Sequence, residues 1–403
     1  MVEPLTILVA ARDEADRIEE TVRVLRALLP EAEVIVADDG SRDGTADAAE
    51  GAGATVLRLR PRGKGQALSA AERAAPPGRV LLVDADLRGD PRALLDGDAD
   101  VVVAAFARRQ GGGFGIAKRA GRALVLALSG YEAREPLSGQ RALSPRARAA
   151  VFPLAPGFGC EVRMTIDAVR AGLAVEEREL ELEHRPTGRD LRGFAHRARQ
   201  LHDALLGCLP LRANYRGDRL PLVGGVLALV EPPTALLGLA DDLWSGPERG
   251  FLAHLAARRS TGVLKLVGIP AVALVRTRSV SGALLVGLAA NALNQLDTRP
   301  GRALKTFALG AAGLGFRPRK GVALAVLLAP YDLREMAMLG DGGSNALGAL
   351  LGYGSVSRLR GAARWITIGG LVTLTVLGER RSLGELIERS PVLGPLDRLG
   401  RRG

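Results

Sequence analysis

Two aspartates separated by one alanine, Asp84 and Asp86, close the apolar run RVLLVD (79–84) within RVLLVDADLRGDP (79–91). Acids at such a place can be ordinary turn residues. They can also bend toward one hard cation, one directly and one through water, and Mg²⁺ or Mn²⁺ held in this way commonly bridges to substrate phosphates. A second apolar run, EVIVAD (33–38), leads into DGSRDGT and supplies Asp38, Asp39, Ser41 and Asp43. The run ATVLRL (54–59) is followed by RPRGKGQAL, which sets Arg60, Arg62 and Lys64 on glycine hinges, and ARDEA (11–15) follows the first run. Singly, each has a plain structural reading: Ser41 or Asp43 capping a helix, a flexible basic loop, an acidic turn. Jointly they would give one edge acids for a cation, cations for phosphate and an acid able to accept N–H donors from a base.

The elements that must carry these groups read as a soluble α/β domain. LTILVA (5–10), EVIVAD (33–38), ATVLRL (54–59), RVLLVD (79–84) and DVVVAA (100–105) are short, continuous apolar runs. Between them lie helical periods at 14–29 and 44–53. That alternation predicts βαβ units and a mainly parallel sheet covered on both faces. Ligands of such sheets bind beyond the carboxyl ends of the strands. A dinucleotide-binding fold would need GxGxxG after the first strand, where this chain has AARDEA, and GxxxxGK[ST] is absent.

Composition narrows the partners. The 403 residues carry a formal charge of +11, nearly all of the basic residues being arginine. That suits an anionic membrane face or phosphorylated substrates. With 3% aromatic residues there is little to stack on bases, so nucleic acid is not the expected partner. The two cysteines show no CxxC spacing, which excludes a zinc-finger site and suits a reducing compartment. The N-terminus turns polar after a short apolar run and does not read as a signal peptide. The composition changes near residue 205, dividing the chain into domains 1–205 and 206–403. Beyond the seam, charge-free apolar segments recur at 220–230, 266–275, 279–296, 306–316, 321–331 and 365–378. Only SVSGALLVGLAANALNQL (279–296) reaches the roughly 17–25 residues of a membrane span.

ILVAARDEADRIEETVRVL, VIVADDGSRDGT, RGKGQAL and VLLVDADL, in this order, resemble the GT-A nucleotide-sugar domain of family 2 glycosyltransferases. PLSGQRAL (136–143), GFGCEVRMTIDAVRAGL (157–173) and LEHRPTGRD (182–190) are similar to the acceptor-side half of that family, its glucosyl-phosphoglycerate synthases included. The resemblance implies an α/β GT-A fold and a metal-dependent transfer from a UDP- or GDP-sugar with Mg²⁺ or Mn²⁺ as cofactor. By position, Ala11 and Glu14 would line the nucleotide pocket, Asp39 would accept from the base, and Lys64 would lie near the ribose or diphosphate. Asp86 would ligate the metal, Asp84 would support ribose and metal, and His184 sits where some relatives have a further ligand. Glu161 is the candidate for orienting sugar or acceptor and for the base. Ala10 and Asp13 depart from the family's usual proline and asparagine.

The second half has a separate likeness. NYRGDRLPLVGG (214–225), GLADDL (238–243), TGVLKL (261–266), NALNQLD (291–297) and GDGGSNALGALLG (340–352) resemble the polyprenyl-phosphate N-acetylhexosamine-1-phosphate transferases, a membrane family. The resemblance points to Asp241, Asp242, Asn294, Asp297 and Asp341 around Mg²⁺, with Lys265 nearby. The linker between GG and DDL is short, DTRPGRALK replaces the family's usual loop, and no histidine follows His254. The expectation is therefore an all-α, multi-pass transmembrane domain of a shortened relative, with the glycosyltransferase domain cytoplasmic at the cell membrane. A lipid-linked acceptor and a role in cell-envelope glycan synthesis follow by association. The alternatives are a bifunctional enzyme that also transfers sugar-1-phosphate to polyprenyl phosphate, and a non-catalytic nucleotide-sugar-binding membrane module. GDGGSNALG could also be only a glycine-rich packing turn.

Overall fold

The computed structural model describes residues 3–106, 116–181, 191–244, 261–315 and 319–401. The chain forms two compact units, residues 1–209 with 217–219 and residues 210–216 with 220–403.

The first unit is built on seven strands: β1 (Leu5–Ala11), β2 (Glu33–Asp38), β3 (Thr55–Arg58), β4 (Arg79–Asp84), β5 (Val101–Phe106), β6 (Arg141–Leu143) and β7 (Val175–Leu180). Their order is β3-β2-β1-β4-β6-β5-β7. β6 runs antiparallel to β4 and β5, and the other pairs are parallel. Side chains alternate between two buried faces: Ile7, Val9 and Ala11 join Val36 and Val83 on one, while Leu8 joins Ile35, Ala37 and Leu82 on the other. Burial on both faces is why these strands read as unbroken apolar runs. In register, Ala11 pairs with Asp38 and Ala10 with Asp84, so β1, β2 and β4 end level.

Helices α1 (Ile18–Leu28), α2 (Thr45–Gly51), α3 (Lys64–Ala74), α4 (Ile116–Ser129), α5 (Pro145–Val151), α6 (Cys160–Arg170) and α7 (Leu191–Gly207) accompany the sheet. Ile18, Thr21, Val22 and Leu25 give α1 one buried stripe at helical spacing. The helical period that begins at residue 14 in the sequence does not start a helix there. Asp13 takes a positive φ of 55°, and Arg17 and Ile18 close a turn on the Glu14 carbonyl.

The second unit is mostly helical: α8 (Pro232–Trp244), α9 (Thr261–Thr277), α10 (Val280–Leu296), α11 (Arg302–Gly313), α12 (Arg319–Leu333), α13 (Gly340–Arg358), α14 (Gly361–Arg380), α15 (Leu383–Arg389) and α16 (Leu393–Arg398). α13 is its buried centre and packs backbone to backbone on α10. A Cβ on Gly348 would lie 2.5 Å from the Ala289 carbonyl oxygen, and one on Gly352 would lie 2.5 Å from Val286 Cα. Small residues permit this approach. GDGGSNALG thus opens a 19-residue helix instead of forming a packing turn.

The membrane expectation shifts accordingly. The segment 279–296 contributes a 17-residue helix whose side chains are mostly buried inside the unit. Among the described residues, α14 is the one helix long and apolar enough to cross a membrane, and of its 20 residues only Ile368 is buried.

Candidate functional site

The level ends of β1, β2 and β4 place the candidate groups on one edge. Lys64 opens α3, and its Nζ lies 2.6 Å from Asp84 Oδ1 and 2.8 Å from Glu161 Oε1. Glu161 stands in the first turn of α6 with 4% of its surface exposed, and its Oε2 accepts from Cys160 Sγ. Burial alone would lower the Lys64 pKa, but the Asp84 and Glu161 carboxylates outweigh it and hold the ammonium well above its ordinary value. Lys64 is therefore a fixed cation between two acids. The Gln140 amide donates to Asp84 Oδ2 at 3.0 Å and accepts from the Asp84 backbone N–H at 3.1 Å. Gly139 leaves room for this grouping: a Cβ there would sit 2.5 Å from both Asp84 carboxylate oxygens and 2.6 Å from Lys64 Nζ.

Asp39 is buried, and its carboxylate accepts the backbone N–H groups of Arg62 at 2.6 Å and Gly63 at 2.9 Å. Burial raises its pKa, against the pull of those two bonds. In this structure, then, Asp39 shapes the RPRGKG loop that presents Lys64. The loop after β1 is stitched to the loop after β2. Asp13 N–H donates to Ser41 Oγ, Glu14 N–H to Thr45 Oγ1 and Ala15 N–H to Asp43 Oδ2. Asp43 also accepts from Thr45 N–H at the start of α2, so the local capping reading of this motif holds as well. Glu14 accepts from Arg17 Nη1 at 3.3 Å. Ala11 points its methyl into the core, which leaves only its backbone for the edge, and its carbonyl accepts Asp39 N–H.

Asp86 lies two residues past the end of β4, on a turn closed by Leu87 N–H donating to the Asp84 carbonyl. It is half-buried, and among the described residues its carboxylate has no hydrogen bond or ion pair. No group of three or more potential ligands gathers among the described residues. Such a carboxylate would suit Mg²⁺ or Mn²⁺, ions commonly held by one or two carboxylates together with substrate phosphates and water. His184 lies outside the described residues.

In the second unit the expected residues do come together. Lys265 Nζ bridges Asp241, at 2.7 Å, and Asp341. Arg212 Nη1 lies 2.9 Å from Asp242 Oδ1 and 2.8 Å from Asp341 Oδ1. Asp242 also accepts the Asp341 and Gly342 N–H groups, holding the start of α13. Asn294, with its amide oxygen toward Lys265 Nζ at 3.2 Å, sits 3.1 Å from Asp341 Oδ1. Asp297 lies close enough for the charges of Asp341, Asp242 and Arg212 to act on it, and it lines a small cavity with Tyr215, Arg299, Asp332 and Glu335. The protein's own cations thus answer the Asp241, Asp242 and Asp341 carboxylates.

Residues 6–144 match the family model of glycosyl transferase family 2. The first unit carries a family 2 glycosyl transferase domain. The chain is 31% identical to glycosyltransferase AglJ of Haloferax volcanii over 171 residues, 40% of this chain and 56% of that protein. It therefore spans about half the length of this curated relative. Glucosyl-3-phosphoglycerate synthase of Mycobacterium tuberculosis with phosphoglyceric acid is 29% identical, with TM-score 0.44 over 51% of this chain and 80% of that one. The same synthase with Mn²⁺, UDP and glucosyl-3-phosphoglycerate is 28% identical, with TM-score 0.42 over the same shares.

The match takes in the loops of the glycosyl transferase domain that hold Asp39, Lys64, Asp84 and Asp86, and it ends before Glu161. Sequence reasoning quoted PLSGQRAL without giving Gln140 a role. Its signal was local: a buried-type amide directly before a short strand, next to a glycine. Arg212 was missed because no spacing links it to residues 30 and 129 positions away.

Proposed function

We propose that this glycosyl transferase domain moves a sugar from a UDP- or GDP-sugar to an acceptor with the help of Mg²⁺ or Mn²⁺. The observation that carries the reading is the pairing pattern at the edge: Lys64 pairs with both Asp84 and Glu161, while Asp86 has no hydrogen bond or ion pair among the described residues. When bound there, the metal would offset the charge developing on the departing nucleoside diphosphate. The protein's own share is to orient. Asp39 fixes the loop that carries Lys64, and Lys64 and Gln140 fix Asp84 beside the ribose and diphosphate. Glu161 holds Lys64 from below and so acts on the sugar through that ammonium. Glu14 and the backbone at Ala11 border the nucleotide.

We read the enzyme as membrane-associated, with a lipid-linked acceptor at the cytoplasmic face as part of the same proposal; the second unit's surface is what favours the membrane. That unit's described surface exposes large apolar side chains such as Val267, Val275, Leu309, Val326 and Ile366. α14 is apolar on all sides and almost uncovered, and a helix of that kind is at home in lipid or a protein interior. The internal ion pairs of Asp241, Asp242 and Asp341 favour a non-catalytic platform over a second transferase active on polyprenyl phosphate.

The test is release of nucleoside diphosphate from UDP- and GDP-sugars by the full chain in detergent or membranes, with Mn²⁺ and with chelator. Metal-dependent release from one donor class is expected. A well-folded chain that neither binds nor turns over any of them would end the proposal.

A further inference from the structure

We propose that Gln140 is a positioning residue of the donor site, setting the direction of Asp86 through Asp84. This rests on the transfer reaction proposed above and adds a residue to it.

Gln140 has 1% of its surface exposed, yet its side chain reaches the sheet edge. An amide carries a donor and an acceptor on one rigid plane. Here both are used on the same neighbour: Nε2 donates to Asp84 Oδ2 at 3.0 Å, and Oε1 accepts Asp84 N–H at 3.1 Å. The side chain and backbone of Asp84 are thereby fixed together. Lys64 holds the other carboxylate oxygen at 2.6 Å. The next residue is fixed as well, since Thr21 Oγ1 donates to the Ala85 carbonyl at 2.8 Å. Asp86 follows on a turn whose first two residues are held by these bonds, and among the described residues its carboxylate has no hydrogen bond or ion pair.

Gln140 is itself held. Its carbonyl accepts Ala104 N–H at 3.0 Å. Its neighbour Arg141 is fully buried and ties the preceding loop to α6, donating to the Ser138 and Pro136 carbonyls and to Thr165 Oγ1. Gly139 keeps the space between Gln140 and the Lys64–Asp84 pair open. Supporting bonds of this kind orient a ligand more than they add fold stability, and losing one commonly costs about 10–100-fold in metal affinity.

The experiment measures binding of UDP and GDP with Mn²⁺ to the full chain by calorimetry, with circular dichroism as the check on folding. Gln140→Met removes both bonds at similar volume. Gln140→Glu keeps the acceptor for Asp84 N–H and removes the donor, so it remains readable if the methionine variant fails to fold. Expected is a loss of about tenfold or more in Mn²⁺–nucleotide affinity in either variant with an unchanged spectrum. In an Asp84→Ala background the same changes should cost less than about threefold, because the route through Asp84 is gone. Wild-type affinity in a folded Gln140 variant, or equal losses in both backgrounds, would overturn the inference. A wild-type chain that binds neither nucleotide would instead overturn the proposed function.

Discussion

Lys64→Met tests the ion-pair core of the site. The substitution keeps most of the side-chain volume and removes the charge that lies 2.6 Å from Asp84 and 2.8 Å from Glu161. Breaking a buried pair by deleting one partner costs about 3–5 kcal/mol, because an uncompensated charge is left behind. The Glu161 side chain is 5% exposed and takes nearly the full penalty, whereas Asp84, at 31%, is partly solvated. The lower end, about 3 kcal/mol, is therefore expected, or about 6–12 °C in the melting of a unit this size. Glu161 would then face the Asp84 carboxylate without the ammonium between them, with the Arg141 guanidinium and the Cys160 thiol nearby. In the wild type the raised Lys64 pKa means its stabilisation is complete below the unfolded value of about 10.5 and is lost only as pH climbs through the folded one. Denaturant titrations of both proteins at several pH values provide the assay, and the added change Glu161→Gln should recover at least half of the loss. A cost below about 1 kcal/mol at pH 7, or strict additivity of the two changes, would refute the reasoning.

Other expectations follow from single contacts. Gly139→Ala should cut donor turnover by at least about tenfold, because its Cβ would displace Asp84 or Lys64, and steady-state kinetics would show it. Asp39→Asn should destabilise the first unit by about 1–2 kcal/mol in denaturant titration and raise donor KM, since the Arg62 and Gly63 N–H groups lose a charged acceptor. Gly348→Val should cost about 3 kcal/mol or more in the second unit by forcing α13 away from the Ala289 carbonyl, which thermal melting would report. Trp365→Glu with Ile366→Lys on the uncovered α14 should lower the fraction of the chain sedimenting with lipid vesicles while leaving its circular dichroism unchanged.

The sheet was legible because burial on both faces leaves continuous apolar runs. β1, β2 and β4 fall where LTILVA, EVIVAD and RVLLVD placed them. The helix at 14–29 was read too long, since periodicity does not register that Asp13 to Ala15 donate to Ser41, Thr45 and Asp43 instead of entering a helix. At the site, the meeting of Lys64 with Asp84 was foreseeable from level strand ends. That Glu161 would share the same ammonium was not, because α6 lies nearly a hundred residues on. The spans of the second unit were read from hydropathy and from the motif resemblance. Hydropathy marked α10 as the spanning-length segment, whereas packing on the α13 glycines buries α10 and leaves α14 as the uncovered apolar helix.

The central claim is that Asp86 anchors the cation that grips the leaving diphosphate. Nucleoside diphosphate release by Asp86→Ala, titrated with Mn²⁺ beside the wild type, tests it most directly. The account predicts a rate at least about a thousandfold lower at every Mn²⁺ concentration, with a melting temperature within about 1 °C, since among the described residues that side chain has no hydrogen bond or ion pair to lose. An alanine variant that kept both its rate and its Mn²⁺ requirement would contradict it.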